Sequence, residues 1–307
     1  MKVVSLFSGA GGLDLGFIQA GHTIVWANDL FHDAVSTYRI NLGDHIVEDD
    51  IRKIPSKDIP NCDIVIGGFP CQGFSIANTG RHADDERNIL YLELLRVIRD
   101  KQPLFFVAEN VKGILSLEQG AIFQNILNDF KNLNYQVQYK LLNAADYGVP
   151  QRRERVIIVG VRNDIDYKYE YPKANHSKNG VNGLPKWISV KEAIEHFPDP
   201  DTENCIPNHT YSKYKIIFNG YIGKRKLDPD QPSPTITARG DDKGGVVVHA
   251  HYNGLRRMTG RELSALQTFP DDFVFAGKNS SVYRQIGNAV PPLLAYQIAR
   301  QFNFYEV

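Results

Sequence analysis

Through the first 160 residues short apolar runs alternate with longer amphipathic ones, a rhythm that predicts strands joined by crossover helices. Runs at 3–6, 24–27, 63–66, 104–109, 136–142 and 156–161 read as strands. Between them, Leu92, Leu95 and Ile98 recur at three-residue steps within 89–100, and Ile122, Ile126 and Phe130 at four-residue steps within 121–133. Two helices should therefore each turn an apolar face to the sheet. The pattern predicts an α/β fold with a mixed, mostly parallel sheet. After residue 162 the texture changes: Asn, Gly, Pro, Lys and Tyr dominate, and no stretch between 164 and 242 predicts a long helix. Regular patterning returns at 260–268 and at 293–303, after the punctuation Phe-Pro-Asp-Asp-Phe and Val-Pro-Pro. A smaller, loop-rich second domain is expected.

Length agrees, because 307 residues exceed what a single hydrophobic core usually serves. With 42% hydrophobic and 23% charged residues, wholesale disorder is excluded. No run approaches the length of a membrane span, and Met1-Lys2-Val3-Val4-Ser5 lacks the features of a signal peptide, so a cytoplasmic protein without membrane attachment is expected. The cysteines Cys62, Cys71 and Cys205 are odd in number and form no CxxC pair, which argues against a disulfide framework and against a zinc site. No metal is expected. Total charge is zero, 35 bases against 35 acids, yet 205–262 holds ten bases and five acids, an excess of five. That excess permits a nucleic acid partner without requiring one.

Four clusters carry candidate chemistry. Phe7-Ser8-Gly9-Ala10-Gly11-Gly12 follows the first strand and opens a helix, putting glycine where the backbone turns sharply and approaches a ligand. Asp29 follows the second strand, where an acid can bond a ribose hydroxyl, and Asp50-Ile51 follows a third. The three together point to an adenosine-bearing ligand; the turn alone fits NAD as well as S-adenosylmethionine. Gly67-Gly68-Phe69-Pro70-Cys71-Gln72 leaves another strand at the carboxyl edge of the sheet, where open parallel sheets bind ligands. Cys62 and Cys205 read as small buried hydrophobes. Glu109-Asn110-Val111 ends a strand at the same edge, a place where desolvation raises a carboxyl group's proton affinity. In Gln151-Arg152-Arg153-Glu154-Arg155, alternation sends Gln151, Arg153 and Arg155 to one side and Arg152 and Glu154 to the other. Two guanidiniums would then converge on one anion or polar rim.

These residues, in this order, resemble the cytosine carbon-5 DNA methyltransferases. The resembling blocks are Leu6-Phe7-Ser8-Gly9-Ala10-Gly11-Gly12, Asp50-Ile51, Gly68-Phe69-Pro70-Cys71-Gln72, Glu109-Asn110-Val111, Gln151-x-Arg153-x-Arg155, Arg261-Glu262-Leu263 with Gln267-x-Phe269-Pro270, and Gln285-Ile286-Gly287-Asn288-Ala289-Val290-Pro291. They span nearly the whole chain, whose length is similar to that of bacterial or phage enzymes of restriction-modification type. Asp29 stands where the family more often has Glu, and Phe69 where Pro also occurs. The resemblance implies the Rossmann-like S-adenosylmethionine-dependent methyltransferase fold. It divides the chain into a catalytic, cofactor-binding domain at 1–162, a target-recognition domain at 163–278 and a segment at 279–307 that returns to the catalytic domain.

It also implies roles. Cys71 would add to carbon 6 of cytosine, Glu109 would bond the ring nitrogen and exocyclic amine, and Arg153 would hold the ring carbonyl. Phe7, Gly9, Gly11, Gly12, Asp29, Asp50, Ile51, Pro70 and Asn288 would line the cofactor pocket. Gln72, Ser75, Arg87, Asn110, Gln151, Arg155, Arg225, Thr235 and Arg239 would meet DNA, with 73–88 as a lid and the target base swung out of the duplex. Arg87 reads equally as a solvated helix start, and His249 and His251 as a surface pair. The implied products are 5-methylcytosine and S-adenosylhomocysteine. Expected partners are double-stranded DNA and a cognate restriction endonuclease, the enzyme itself being a monomer. A transfer-RNA methyltransferase is the alternative, although Ser75 stands where that branch carries Thr; a DNA-binding regulator without catalysis and a nicotinamide oxidoreductase are opposed by the intact Cys71, Glu109 and Arg153.

Overall fold

Each apolar run of the first 160 residues becomes a strand in the structure, a computed structural model that describes residues 1–69, 86–202, 206–211, 213, 226–238 and 250–305, with the backbone alone at 86–89. In chain order the elements are β1 (Lys2–Leu6), α1 (Gly12–Gln19), β2 (Thr23–Asp29), α2 (His32–Leu42), β3 (Ile46–Glu48), β4 (Ile64–Gly68), α3 (Glu86–Lys101), β5 (Phe105–Val111), α4 (Ala121–Asn132), β6 (Tyr135–Asn143) and β7 (Glu154–Arg162). They form a seven-stranded sheet in the order β3-β2-β1-β4-β5-β7-β6. The first five are parallel; β7 runs antiparallel to β5 and to β6. Because β7 is reversed, its first residues lie beside the last residues of β5, with Arg155 opposite Val111. That reversal brings the Arg153-x-Arg155 block to the edge where Gly68 and Glu109 end their strands.

Both faces of the sheet are covered, as buried parallel strands require. On one face Val3, Ile66, Val107 and Val159 pack with Phe17 and with Leu294 and Ile298 of α8 (Pro292–Ala299). On the other, Val4, Val65, Phe106 and Ile158 pack with Leu94, Ile98, Ile126 and Phe130 of α3 and α4. The buried face of α3 is the expected one at Ile98 and, in part, at Leu95, but not at Leu92. Tyr91, Leu94, Val97 and Ile98 point inward while Leu92 is 52% exposed, because the stripe follows mixed three- and four-residue steps rather than threes alone. Cys62 is half-buried against the second core, and burial pushes its thiol up to about 12, so it is an inert packing residue.

A third cluster gathers Val190 and Ile194 of α5 (Val190–Ile194), Leu263 and Leu266 of α6 (Gly260–Leu266), Phe269, Phe273 and Phe275, and Val282, Tyr283 and Ile286 of α7 (Asn279–Asn288). Helices α5 and α6 each open with a capping box, Ser189 with Glu192 and Thr259 with Glu262. Helix α7 packs into this third cluster and is tied to α2 by the Thr37 hydroxyl, which donates to Gln285 at 2.6 Å, and the chain joins the first core at Val290. Helix α7 itself was not evident in the sequence, where its Asn, Ser and Gly residues mask an apolar stripe of Val282, Tyr283 and Ile286.

His251 corrects the expectation of a surface pair: it is buried, its Nε2 3.8 Å from Glu262 Oε1, beside an Arg256 guanidinium that donates to both Glu262 oxygens at 2.9 and 2.6 Å. His249 lies outside the described residues. Among the described residues no helix is long and apolar enough to cross a membrane.

Candidate active site

The carboxyl ends of β1, β2, β4 and β5 and the start of β7 surround a cavity of about 1130 Å³. At one end lies the glycine turn. Leaving β1, Phe7 takes a left-handed backbone conformation (φ 56°), an uncommon state for a bulky residue and one that concentrates where ligands bind. Gly9 follows at φ 55°, and a Cβ there would meet nothing within 4 Å, so its Cα faces open space in the cavity wall. Asp29 fixes the turn from β2: one carboxylate oxygen accepts from the Gly9 amide at 2.8 Å and the other from the Phe31 amide at 2.8 Å. Burial raises its proton affinity above the usual Asp range, against the lowering effect of those amides. Asn28 donates to the carbonyls of Val47 and Asp49, tying β2 to the turn that presents Asp50 and Ile51. Hydrogen bonds from Arg52 hold the Asp50 carboxyl below its usual range.

Gly11 does not line this space. Its Cα packs against α2, where a Cβ would stand 2.3 Å from Leu42 Cδ1, so it shapes the turn without facing a ligand. Gly12 borders the cavity and also allows α1 to approach the Val290 carbonyl closely. Asn288, at the end of α7, closes the same end of the cavity. This donor set fits an adenosine-bearing cofactor: an aromatic ring at Phe7, a carboxylate at Asp29 with lone pairs to spare, and a glycine without a side chain to fill the space.

At the other end stands Glu109, only 9% exposed. Arg155 Nε lies 2.7 Å from Glu109 Oε1, an ion pair, yet this buried N–H makes no hydrogen bond among the described residues. The guanidinium and the carboxylate are held together at the cavity wall. Gly68 lets β4 pass close to the pair, for a Cβ there would come within 2.9 Å of Glu109 Oε2.

Arg153 behaves otherwise, and the expected convergence of two guanidiniums on one anion or polar rim does not occur: Arg155 meets Glu109, whereas Arg153 meets backbone carbonyls. Its Nη1 donates to the Ile236 carbonyl at 2.9 Å, and its Nη2 to those of Gly287 and Ala289 at 2.9 and 2.8 Å. Arg153 is a buried strut between β7, the loop-rich region and α7; burial, then the nearby Arg155 charge, pushes its proton affinity down.

Two further expected DNA contacts prove to be internal. Gln151 is fully buried, accepting from the Ile236 amide and donating to Gln267 at 3.0 Å each. Asn110 donates to the Phe69 carbonyl at 3.0 Å and accepts from the Val111 amide at 2.8 Å, so it fixes the chain two residues before Cys71. Thr235 borders the cavity, but its hydroxyl donates to the Arg152 carbonyl at 2.8 Å. Pro70, Cys71, Gln72, Ser75, Arg225, Arg239 and the side chain of Arg87 lie outside the described residues, as does most of the expected lid. Sequence reasoning passed over Asp14 and Arg284, both of which border the cavity. A charged residue inside the apolar stretch Gly12-Leu13-Asp14-Leu15-Gly16 was the available signal for the first. Among the described residues no group of His, Cys, Asp and Glu is arranged to hold a metal.

A mostly parallel, doubly covered sheet with a glycine turn and an acid-ended second strand at one side of its carboxyl edge, and a reversed seventh strand at the other, defines the methyltransferase class of α/β enzymes. The model of the C-5 cytosine-specific DNA methylase family matches residues 1–303, and the chain belongs to that family. It is 42% identical over 322 residues to the Type II methyltransferase M.NgoFVII of Neisseria gonorrhoeae, covering 97% of this chain and 85% of that one. It is 42% identical over 355 residues to M.BspRI of Lysinibacillus sphaericus, covering 97% and 80%. A DNA modification methyltransferase structure from an E. coli prophage superposes with a TM-score of 0.74 at 26% identity, covering 99% and 98%. The S. pombe Dnmt2 methyltransferase superposes with a TM-score of 0.72 at 20% identity over 99% and 98%, a likeness of fold.

Proposed function

We propose that this chain methylates carbon 5 of a cytosine swung out of double-stranded DNA, with S-adenosylmethionine as methyl donor and Cys71 as the transient nucleophile. The observation that carries the reading is the Glu109–Arg155 pair, which opens into the same cavity as the Asp29-bound glycine turn. Phe7 packs on the adenine, Asp50 and Ile51 read its edge, and Asp29 accepts from the ribose hydroxyls. Gly9 and Gly12 leave room for the methionine portion, and Pro70 and Asn288 close the pocket.

Cytosine is a poor carbon nucleophile, so the ring needs a covalent bond that moves electrons to carbon 5. The Cys71 sulfur adds to carbon 6, the 5,6 double bond opens, and its electron pair is placed at carbon 5. Glu109 shares a proton with the ring nitrogen and accepts from the exocyclic amine, offsetting charge as it develops. Arg155, paired with Glu109 at the cavity wall, donates to the ring carbonyl; Arg153 acts behind it by joining β7 to the wall of the cavity. When bound, S-adenosylmethionine supplies an electrophilic methyl group for the enriched carbon. Loss of the carbon-5 proton then lets the ring expel Cys71 and regain aromaticity. The basic excess of 205–262 supplies phosphate contacts, among them Arg225 and Arg239.

The description of the family and the name of the prophage neighbour favour DNA over transfer RNA, and the Type II designation of the relatives makes a restriction endonuclease of the same specificity the natural companion. Transfer of a radiolabelled methyl group to duplex DNA, with transfer RNA offered in parallel, tests the substrate. Label in DNA alone is the expected result; label in transfer RNA alone overturns the reading.

A further inference from the structure

Behind the glycine turn runs a row of hydrogen-bonded side chains for which the proposed chemistry has no use. Asp14, in the first turn of α1, has no exposed surface, yet it belongs to the cavity wall. One of its oxygens accepts from the Ser5 hydroxyl at 2.7 Å and the other from the Tyr38 hydroxyl at 2.8 Å. The Ser5 hydroxyl also accepts from that of Ser8, in the turn itself, at 3.1 Å. At the far end the Tyr38 oxygen lies 3.0 Å from His45 Nε2. Since the Tyr38 proton points at Asp14, His45 must be the donor in that contact. The row therefore joins a half-buried histidine to the loop that the cofactor would touch.

The two oxygens of Asp14 accept from donors on β1 and α2, the arrangement of an ionised carboxylate. Burial opposes it and raises the carboxyl to about 6, against the hydrogen bonds from Ser5 and Tyr38 and with help from the charge of Asp29. The titratable groups around it are Asp29 on β2, Tyr38 on α2 and, through Tyr38, His45 with its neighbour Asp44. None of these is a fixed cation.

That distinguishes Asp14 from the other carboxylates of the cavity. Asp50 is bound by Arg52, Glu109 by Arg155 and Glu154 by Lys112. Asp14 and Asp29 instead accept from hydroxyls and backbone amides, with Arg284, stacked over Phe31 at 4.6 Å, acting on Asp29 from a distance. This end of the cavity carries two carboxylates held by hydroxyls and amides, and its electrostatic complement is a cation. S-adenosylmethionine and S-adenosylhomocysteine share every group except the transferred methyl and the positive charge on sulfur.

We infer that Asp14 is a selectivity-determining residue of the methyl-donor pocket: its buried carboxylate makes the pocket prefer the cationic donor to the neutral product, and so favours product exchange. This rests on the proposed cofactor. Because both compounds carry the same adenosine and amino-acid groups, the ratio of their affinities isolates the effect of the sulfur charge and methyl.

The test is calorimetric titration of the full chain with each compound between pH 5 and pH 8, on wild type, Asp14→Asn and Tyr38→Phe. In wild type the donor-to-product affinity ratio should rise on the order of tenfold as pH climbs through the Asp14 titration. In Asp14→Asn the ratio should stay low and flat. Tyr38→Phe removes a donor to the ionised form, so the rise should move to higher pH; this variant and the wild-type profile decide the matter even where Asp14→Asn folds poorly. A ratio independent of pH in wild type, or a pH dependence that survives in Asp14→Asn and so belongs to Asp29, overturns the inference and leaves the cofactor standing. Binding of neither compound overturns the cofactor assignment instead.

Discussion

At the β1–β3 end of the cavity the carboxylates of Asp14 and Asp29 accept from hydroxyls and amides supplied by residues 5–38, whereas at the β5–β7 end Glu109 faces a guanidinium 2.7 Å away. The carboxylates of the first end and their partners all come from the continuous β1-α1-β2-α2 stretch. The second needs strands β4, β5 and β7, and struts to residues more than eighty positions away, such as Arg153 to Ile236. A locally built, negative end suits a cofactor common to many substrates. An end assembled through the recognition region, with a buried ion pair, can be aligned by whatever sits in that region. Binding and chemistry should therefore be separable by mutation.

The largest separation should come from Glu109→Gln, which keeps shape but loses the carboxyl proton that Glu109 would share with the attacked ring. Turnover should fall by about 10² to 10⁴ with cofactor affinity unchanged, as single-turnover kinetics and calorimetry would show; a fall in cofactor affinity of similar size would mean that the two ends are not independent. Next is Arg153→Met. Three backbone carbonyls lose their donors while a buried charge is removed, so urea unfolding should show a net loss of about 3 kcal/mol. Unchanged stability would deny Arg153 its role as a strut.

Asp14 gives the local end a pH signature. Its folded carboxyl titrates near 6 against an ordinary 3.8, so the unfolded chain releases this proton more readily. The folded state accordingly loses stability as pH rises from about 4 to about 6, by up to about 3 kcal/mol, and changes no further above that. Stability of wild type relative to Asp14→Asn should therefore decline across that window in urea titrations at stepped pH. A constant difference would place the titration elsewhere. The smallest effect is expected of Asp29→Asn, which keeps an acceptor for Gly9 or Phe31 and should weaken S-adenosylhomocysteine by about tenfold, read by calorimetry.

Much of this contrast was legible in the sequence. The positions of Asp29 and Glu109 at strand ends follow from apolar runs that end abruptly at a polar residue, and alternation correctly put Gln151, Arg153 and Arg155 on one side and Arg152 and Glu154 on the other, without showing that the first side is the buried one. What those buried groups touch was not legible. Gln151 meets Gln267, and Arg153 meets Gly287 and Ala289, partners brought near by folding rather than by spacing. His251 was misplaced for the same reason: its environment is made by Glu262 and Arg256, and the buried ion pair beside it leaves no periodic trace. Helix α7 escaped because its stripe is short and its composition favours turns.

Duplex DNA carrying 5-fluorocytosine at the target position offers the most direct test of the central claim, that one cavity brings a methyl donor to a base held by Cys71 and Glu109. Fluorine replaces the proton whose loss would release the cysteine, so a covalent protein–DNA complex should accumulate, map to Cys71 by mass spectrometry, and fail to form when S-adenosylhomocysteine replaces the donor. Methylation of ordinary DNA without any trapped complex, or a complex mapped to another residue, would contradict it.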